Sequence, residues 1–356
     1  MKSGPTCLPD HSRNPRPSGE GSVSRKVTLL VASVYVKNRR KIWGLVVSVL
    51  LTVTTGYFLL RQLPPGEILR EWVGFPFYAY ALGLALTAAF IGLRAMRFKA
   101  IAAASLPAWR LFPPAASYSL TSRIFPGGAA DILLPVYLRP YGIGTGESLV
   151  VAFASRWFDL AGAILLGLLL GGWLFGGTLA IPPLAVAVGL AGMIPVGVLA
   201  FPGLRQRGLD ALGRTKLPRL QLLAGEIIRS LQLLRKLSPA KLAGLAMVTI
   251  GMKLLTSGIY FILATGLAVE ISFPKLFFAS VLTSLFLAFP LQGVGGLGTE
   301  EAWWTASLRM VGLHMPQAIL LGLTFHLLNI LFVAILGGVP LFGRIFSASL
   351  SLKGES

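Results

Sequence analysis

Long apolar runs separated by short polar or basic stretches dominate this chain. Runs at 42–60, 74–93, 148–171, 178–200, 242–265 and 317–340 each approach the about 20 residues that a helix needs to cross a hydrocarbon core of about 30 Å. They predict six membrane-spanning helices. Two further apolar regions, 100–147 and 273–314, are interrupted by turn residues. The first interruption is FPGGAAD, Phe125 to Asp131, and the second is FPLQGVGGLGTEE, residues 289–301. Both begin Phe-Pro, pass through glycines and end in an acid.

The basic stretches orient the spans. Residues 1–41 carry nine Lys/Arg against two acids, and residues 202–241 carry nine against Asp210 and Glu226. Because both flank apolar runs, the positive-inside rule explains them better than a nucleic-acid footprint, and it puts both on the cytoplasmic side. The 61–73 loop is neutral and suits the outside, while Arg94, Arg97 and Lys99 return the chain to the inside. Spans 148–171 and 178–200 form an out-and-back pair, so residues 100–147 must enter and leave on the inner side. By the same reasoning residues 273–314 start and finish on the outer side. The expected fold is therefore an all-α integral membrane protein with about six full spans plus two re-entrant helical hairpins from opposite sides. Turns at membrane depth are tolerated only inside protein or beside a wet cavity. Matching breaks in two halves suggest an inverted repeat with a midplane site; two ordinary spanning pairs with interfacial loops are the plainer alternative.

Composition agrees. Hydrophobic residues make up 54% and charged residues 13%, about half the charged share of a soluble domain. The net charge of +19 should draw the cytoplasmic face toward anionic headgroups. The chain divides into a disordered basic tail (1–26), a transmembrane domain (27–346) and a short C-terminal tail (347–356), with both termini cytoplasmic in the plasma membrane. Without an apolar core before Ile42, the first span should act as an uncleaved signal anchor. The single cysteine, Cys7, excludes an intramolecular disulfide. Residues 217–237 place Leu220, Leu223, Ile227, Leu231 and Leu234 on one stripe, an amphipathic helix for the inner membrane surface or for the protein's own cytoplasmic face.

Charges inside apolar spans carry the candidate chemistry, since each costs about 2.5–3.5 kcal/mol at a helix centre. Arg156 and Asp159 share a helix face at i, i+3 and can pair, either as a structural lock or with Arg156 facing an anionic headgroup. Lys253 has no carboxylate at i±3 or i±4, so its partner must come from another helix: Asp131, Asp159, Glu300 or Glu301. Arg123, Asp131 and Arg139 surround the first break. At the second, Gly295, Gly296 and Gly298 let the backbone approach a ligand. Thr299 suits an N-cap, and Glu300 and Glu301 suit a first helical turn; either acid is also placed to bind a cation or proton or to pair Lys253. His326 and Asn329, again at i, i+3, suit a polar helix–helix contact. No HExxH, CxxC or GxxxxGK[ST] occurs, so no metal, cofactor or ATP use is expected.

Three segments together resemble the lysylphosphatidylglycerol synthase transmembrane family, the flippase-like domain, over roughly residues 40–345. SRIFPGGAADILLP is similar to its Pro-Gly-x-x-Gly-Glu-x-x-Arg-Pro stretch, through Pro126, Gly127, Asp131 and Pro135. SRWFDLAG is similar to its Glu-Arg-x-x-Asp element, through Arg156 and Asp159. FPLQGVGGLGTEEA is similar to its Pro-x-x-Gly-Gly-x-Gly-x-x-Glu loop, through Pro290, Gly295, Gly296, Gly298 and Glu301. Ala130, Asp131, Leu134 and Ser155 depart from the pattern, as in a divergent member. The resemblance implies an integral membrane protein that translocates lipids; membrane lipids with anionic headgroups are the expected partners, and no residue is assigned a catalytic role. A chain ending at Ser356 is expected to lack the soluble aminoacyl-transfer domain. Two other functions fit the same residues: an integral transferase using the acids as general bases, and a non-catalytic membrane partner of a separate lipid-modifying enzyme.

Overall fold

The computed structural model describes residues 50, 52–58, 61, 65–125, 129–176, 238–287 and 293–353. These residues form helices and turns, with no strand among them. The expected spans 42–60 (apart from a helical segment at 52–58) and 178–200, the N-terminal tail, and the amphipathic stretch 217–237 lie outside the described residues.

Among the described residues, four helices are long and apolar enough to cross a membrane: α2 (Phe77–Ile101), α5 (Thr145–Leu174), α6 (Pro239–Gly266) and α9 (Met315–Lys353), the last over Met315–Leu341. They answer to the predicted runs at 74–93, 148–171, 242–265 and 317–340. One difference is in α2, which continues past residue 93 through Arg94, Arg97 and Lys99. The periodicity argument stops at those charges, but Arg94 and Arg97 find partners on other helices, so the helix need not end. α9 likewise runs on through Lys353, into the stretch read as a tail. A short helix, α1 (Pro65–Val73), occupies the neutral loop, and its Trp72 Nε1 donates to Thr324 Oγ1 at 3.0 Å.

Between the long helices lie two pairs of short ones: α3 (Phe112–Ile124) with α4 (Ala129–Leu138), and α7 (Phe273–Phe286) with α8 (Thr299–Met310). At about 1.5 Å per residue each is roughly 15–21 Å long, well short of a full crossing. The breaks between them fall at the two glycine-bearing stretches.

The packing has an internal symmetry. Taking α2–α5 as one set and α6–α9 as the other, each helix contact has a counterpart under exchange of the sets. α2 packs on α3 as α6 does on α7; α3 on α4 as α7 on α8; α4 on α5 as α8 on α9. Between the sets, α3 packs on α9 as α7 does on α5, and α2 and α6 pack on each other. Two apolar cores follow this division in part, Ala79 and Ala163 of the first set joining one and Leu245 of the second joining the other. One gathers Phe278, Leu282, Trp304 and Phe325 from the second set, and the other gathers Ile91, Phe98, Leu111 and Leu134 from the first. Large apolar side chains such as Phe77, Leu169, Trp173, Met247 and Val339 face outward, as suits a surface against lipid rather than water.

Close approach of α9 to α3 depends on Gly337, where an added Cβ would lie 2.4 Å from the carbonyl oxygen of Ala116. Backbone cannot swing aside, so Gly337→Ala should cost about 1–3 kcal/mol. Gly92→Ala, where a Cβ meets open space, should be neutral or slightly stabilising through helix propensity. Thermal unfolding of the two variants in detergent, followed by tryptophan fluorescence, checks the contrast.

Candidate functional site

The polar residues of the interior form two clusters, both reached by α3. In the first, α2 directs two arginines inward. Arg97, only 1% exposed, donates from Nη1 and Nη2 to the two oxygens of Asp159 on α5, at 2.6 and 3.0 Å. Arg94 Nη1 donates to Ser119 Oγ on α3 at 2.6 Å; the serine passes its own hydrogen to the Ala115 carbonyl. The Arg94 guanidinium also lies over the rings of Phe90 and Tyr118, 4.7 and 5.4 Å from their centroids. The Nε atoms of both arginines are buried and have no partner among the described residues. Next to them, Asp131 of α4 accepts from the Tyr118 hydroxyl at 2.6 Å and from Arg156 Nε of α5.

Lys253 of α6 completes this cluster. It makes no ion pair among the described residues, and the carboxylate whose field reaches it is Asp159, already held by Arg97. The Arg156–Asp131 pair, whose arginine is 51% exposed, balances itself, so Arg94, Arg97 and Lys253 stand against Asp159 alone. This leaves an excess of positive charge inside an apolar bundle, where effective dielectric screening is weak.

The second cluster surrounds the other break. Arg123 of α3 donates from Nη1 to both oxygens of Glu300, at 2.7 and 3.0 Å. His326 of α9, wholly buried, sits between the two glutamates of α8: Nδ1 lies 2.8 Å from Glu301 Oε1, and Nε2 lies 3.5 Å from Glu300 Oε2. Nε2 also lies 3.1 Å from the Gly295 carbonyl oxygen. One turn on, Asn329 Nδ2 donates to the Tyr260 hydroxyl of α6 at 3.0 Å.

Several sequence expectations change here. Arg156 and Asp159 do not pair with each other; each takes a partner on a different helix, Asp131 and Arg97. Neither Glu300 nor Glu301 pairs Lys253, because Arg123 and His326 reach them first. Thr299 begins α8 but is not its N-cap. That place is taken by Gly298 at φ 83°, and the Thr299 hydroxyl instead accepts from the Gly293 N–H and donates to the Gly296 carbonyl. The glycines make room for protein. At Gly298 a Cβ would fall 3.0 Å from that of Thr55 and 3.2 Å from the Thr52 backbone, and the Gly295 carbonyl is turned onto His326.

Of the residues singled out in the sequence, the first cluster holds Asp131, Arg156, Asp159 and Lys253 and the second holds Arg123, Glu300 and Glu301, with Gly295, Gly296, Gly298 and Thr299 shaping the second. Sequence reasoning missed Arg94, Arg97, Tyr118, Tyr260 and the engagement of His326. Arg94 and Arg97 had a readable signal: the same i, i+3 spacing as Arg156 and Asp159, masked by their position at the end of an apolar run.

The symmetry of the packing extends to these contacts. Asp131 is the third residue of α4 and bonds Arg156, the twelfth of α5; Glu301 is the third of α8 and bonds His326, the twelfth of α9. Three residues on, Asp159 bonds Arg97 near the end of α2, as Asn329 bonds Tyr260 near the end of α6. Ser119, eighth in α3, bonds Arg94 of α2, as Ser280, eighth in α7, bonds Ser257 of α6.

Residues 41–337 match the family model described as the lysylphosphatidylglycerol synthase TM region. No curated protein and no solved structure matches the chain.

Removing Asp159 strands the buried Arg97 charge, 1% exposed. Asp159→Asn, which leaves Arg97 buried and unpaired, should lower stability by about 3–5 kcal/mol; Arg97→Met, which leaves the 35% exposed Asp159, should cost less, and the double variant should recover most of the Asp159→Asn loss. Denaturant unfolding of the three variants in micelles measures the coupling.

Proposed function

The chain belongs to the lysylphosphatidylglycerol synthase transmembrane family, and from that premise we propose that this integral membrane protein is a flippase-like transporter. It translocates an anionic or lipid-linked amphiphile through a polar cavity near the midplane of the plasma membrane. The observation that carries this reading is the excess positive charge around Asp159: Arg97, Lys253 and Arg94 all act on a single carboxylate. Such an arrangement is costly in an apolar bundle unless an anion completes it. A phosphate-bearing headgroup supplies that anion, while its acyl chains stay in the lipid against the outward-facing apolar side chains.

The short helix pairs support a re-entrant arrangement. α3–α4 and α7–α8 are too short to cross, each is broken at a glycine-bearing stretch, and their contacts interchange under one operation. An inverted repeat, with one hairpin entering from each side, accounts for all three features. In this reading the termini are cytoplasmic. Arg123, Arg156 and Lys253 draw in the headgroup, Asp131, Asp159 and Glu301 balance charge or hold a coupling ion, and the Gly295–Thr299 loop shapes the second hairpin.

Purified protein in phosphatidylcholine vesicles containing fluorescent phosphatidylglycerol should speed exchange of the labelled lipid between leaflets. Lys253→Met should slow that exchange about tenfold, equivalent to ~1.4 kcal/mol of barrier, without loss of folding. Excess inorganic phosphate should not substitute for the lipid as cargo. Exchange no faster than in protein-free vesicles, across several anionic headgroups, would overturn the reading.

A further inference from the structure

We propose that His326 and Glu301 form a proton-binding site and that lipid movement is coupled to the proton held there. The coupling rests on the transport reading above; the binding site does not.

Hydrogen-bond chemistry sets the proton count. The Gly295 carbonyl oxygen, 3.1 Å from His326 Nε2, can only accept, so Nε2 carries a hydrogen. Nδ1 then faces Glu301 Oε1 at 2.8 Å. A bare imidazole nitrogen and a carboxylate oxygen are both acceptors and do not approach so closely. One more proton therefore lies between them, either on Nδ1 as imidazolium or on Oε1 as carboxylic acid. Releasing it to water leaves neutral His326 beside the Glu301 carboxylate. The pair is enclosed, with His326 0% and Glu301 2% exposed, and Glu301 Oε2 is buried without a partner among the described residues.

The groups facing His326 are Glu300 and Glu301 from α8 and Arg123 from α3. α6 contributes the neutral Tyr260 hydroxyl, on Asn329, and α2 contributes Arg94, whose field reaches Arg123. Arg123 neutralises Glu300, so the shared proton is what neutralises Glu301.

The other half of the molecule gives an independent argument. There the same two helix positions hold Asp131 and Arg156, and a guanidinium does not give up its proton in proteins. Of two contacts equivalent by position, one is permanently charged and the other opens on deprotonation. Arg123, at 26% exposed against 5% for Glu300, is the member of the cluster that an incoming headgroup can engage. Drawing it away leaves the Glu300 carboxylate beside the imidazole and tightens the hold on the proton. Anion and proton thus bind cooperatively, and by linkage each favours the other; they travel in the same direction.

Two measurements on the full-length protein test this. In His11→Gln/His314→Gln protein His326 is the only imidazole, and 15N NMR of its ring should show one proton lost at alkaline pH, with the transition moved clearly in Glu301→Gln. An unchanged transition in Glu301→Gln would overturn the shared proton. In the phosphatidylglycerol assay, a pH gradient acidic on the donor side should raise the rate several-fold. Glu301→Gln should abolish that response and His314→Gln should keep it. His326→Arg, which copies the Asp131–Arg156 arrangement, should also be insensitive, and serves if Glu301→Gln does not fold. Lipid exchange indifferent to the gradient would overturn the coupling while leaving transport standing. A titrating pair in protein that moves no lipid would uphold the site and overturn the transport reading.

Discussion

The structure turns on one constraint: a charge inside an apolar bundle must be neutralised by a partner on a different helix. Arg97 reaches Asp159 across the α2–α5 contact, Arg156 reaches Asp131 across α5–α4, and Arg123 reaches Glu300 across α3–α8. None of these pairs lies within one helix. Each therefore fixes the rotation of two elements about their axes, which apolar packing alone does weakly. The cost of burying the charges is the source of this specificity, because a misrotated helix would leave an arginine in hydrocarbon. Among the described residues neutralisation is incomplete around Arg94, which has only a hydroxyl and two rings for partners, and around Lys253.

This constraint also explains what could be read from the sequence. Span existence was legible at 74–93, 148–171, 242–265 and 317–340, because twenty apolar residues have few other destinations. The two breaks were legible from Phe-Pro, glycine and acid in sequence, and the residues that would gather near them were largely identified. The partners were not. Arg156 and Asp159 face the same way on one helix, so spacing offers them to each other; the structure separates them because Arg97 and Asp131 are better placed. Pairing between helices is a property of rotation and depth, and neither is written in the spacing of a single run. His326 was underread for the same reason: its role comes from a carbonyl and a carboxylate on another element.

Loop glycines illustrate a second limit. Positive φ at Gly295, Gly296 and Gly298 was foreseeable in kind, since a broken helix needs residues free of a Cβ penalty. What occupies the freed space was not. The Gly298 backbone lies against Thr52 and Thr55, and the Gly295 carbonyl is committed to His326. Backbone that seemed reserved for a ligand is spent on holding the imidazole in one orientation.

The two sets of helices share contacts position by position yet differ in chemistry, and the difference has a direction. Asp131–Arg156 in the first set answers to Glu301–His326 in the second; Asp159–Arg97 answers to Asn329–Tyr260. In both cases the first set carries the full charges and the second carries a titratable or neutral counterpart. Equivalent contacts of equal strength would leave a repeat protein with no preference between its two halves. Placing permanent charge in one half and a protonatable pair in the other makes their balance depend on pH and on the anion present. On the proposed reading, a proton gradient sets the direction of net movement, and that asymmetry is what lets the scaffold respond to it.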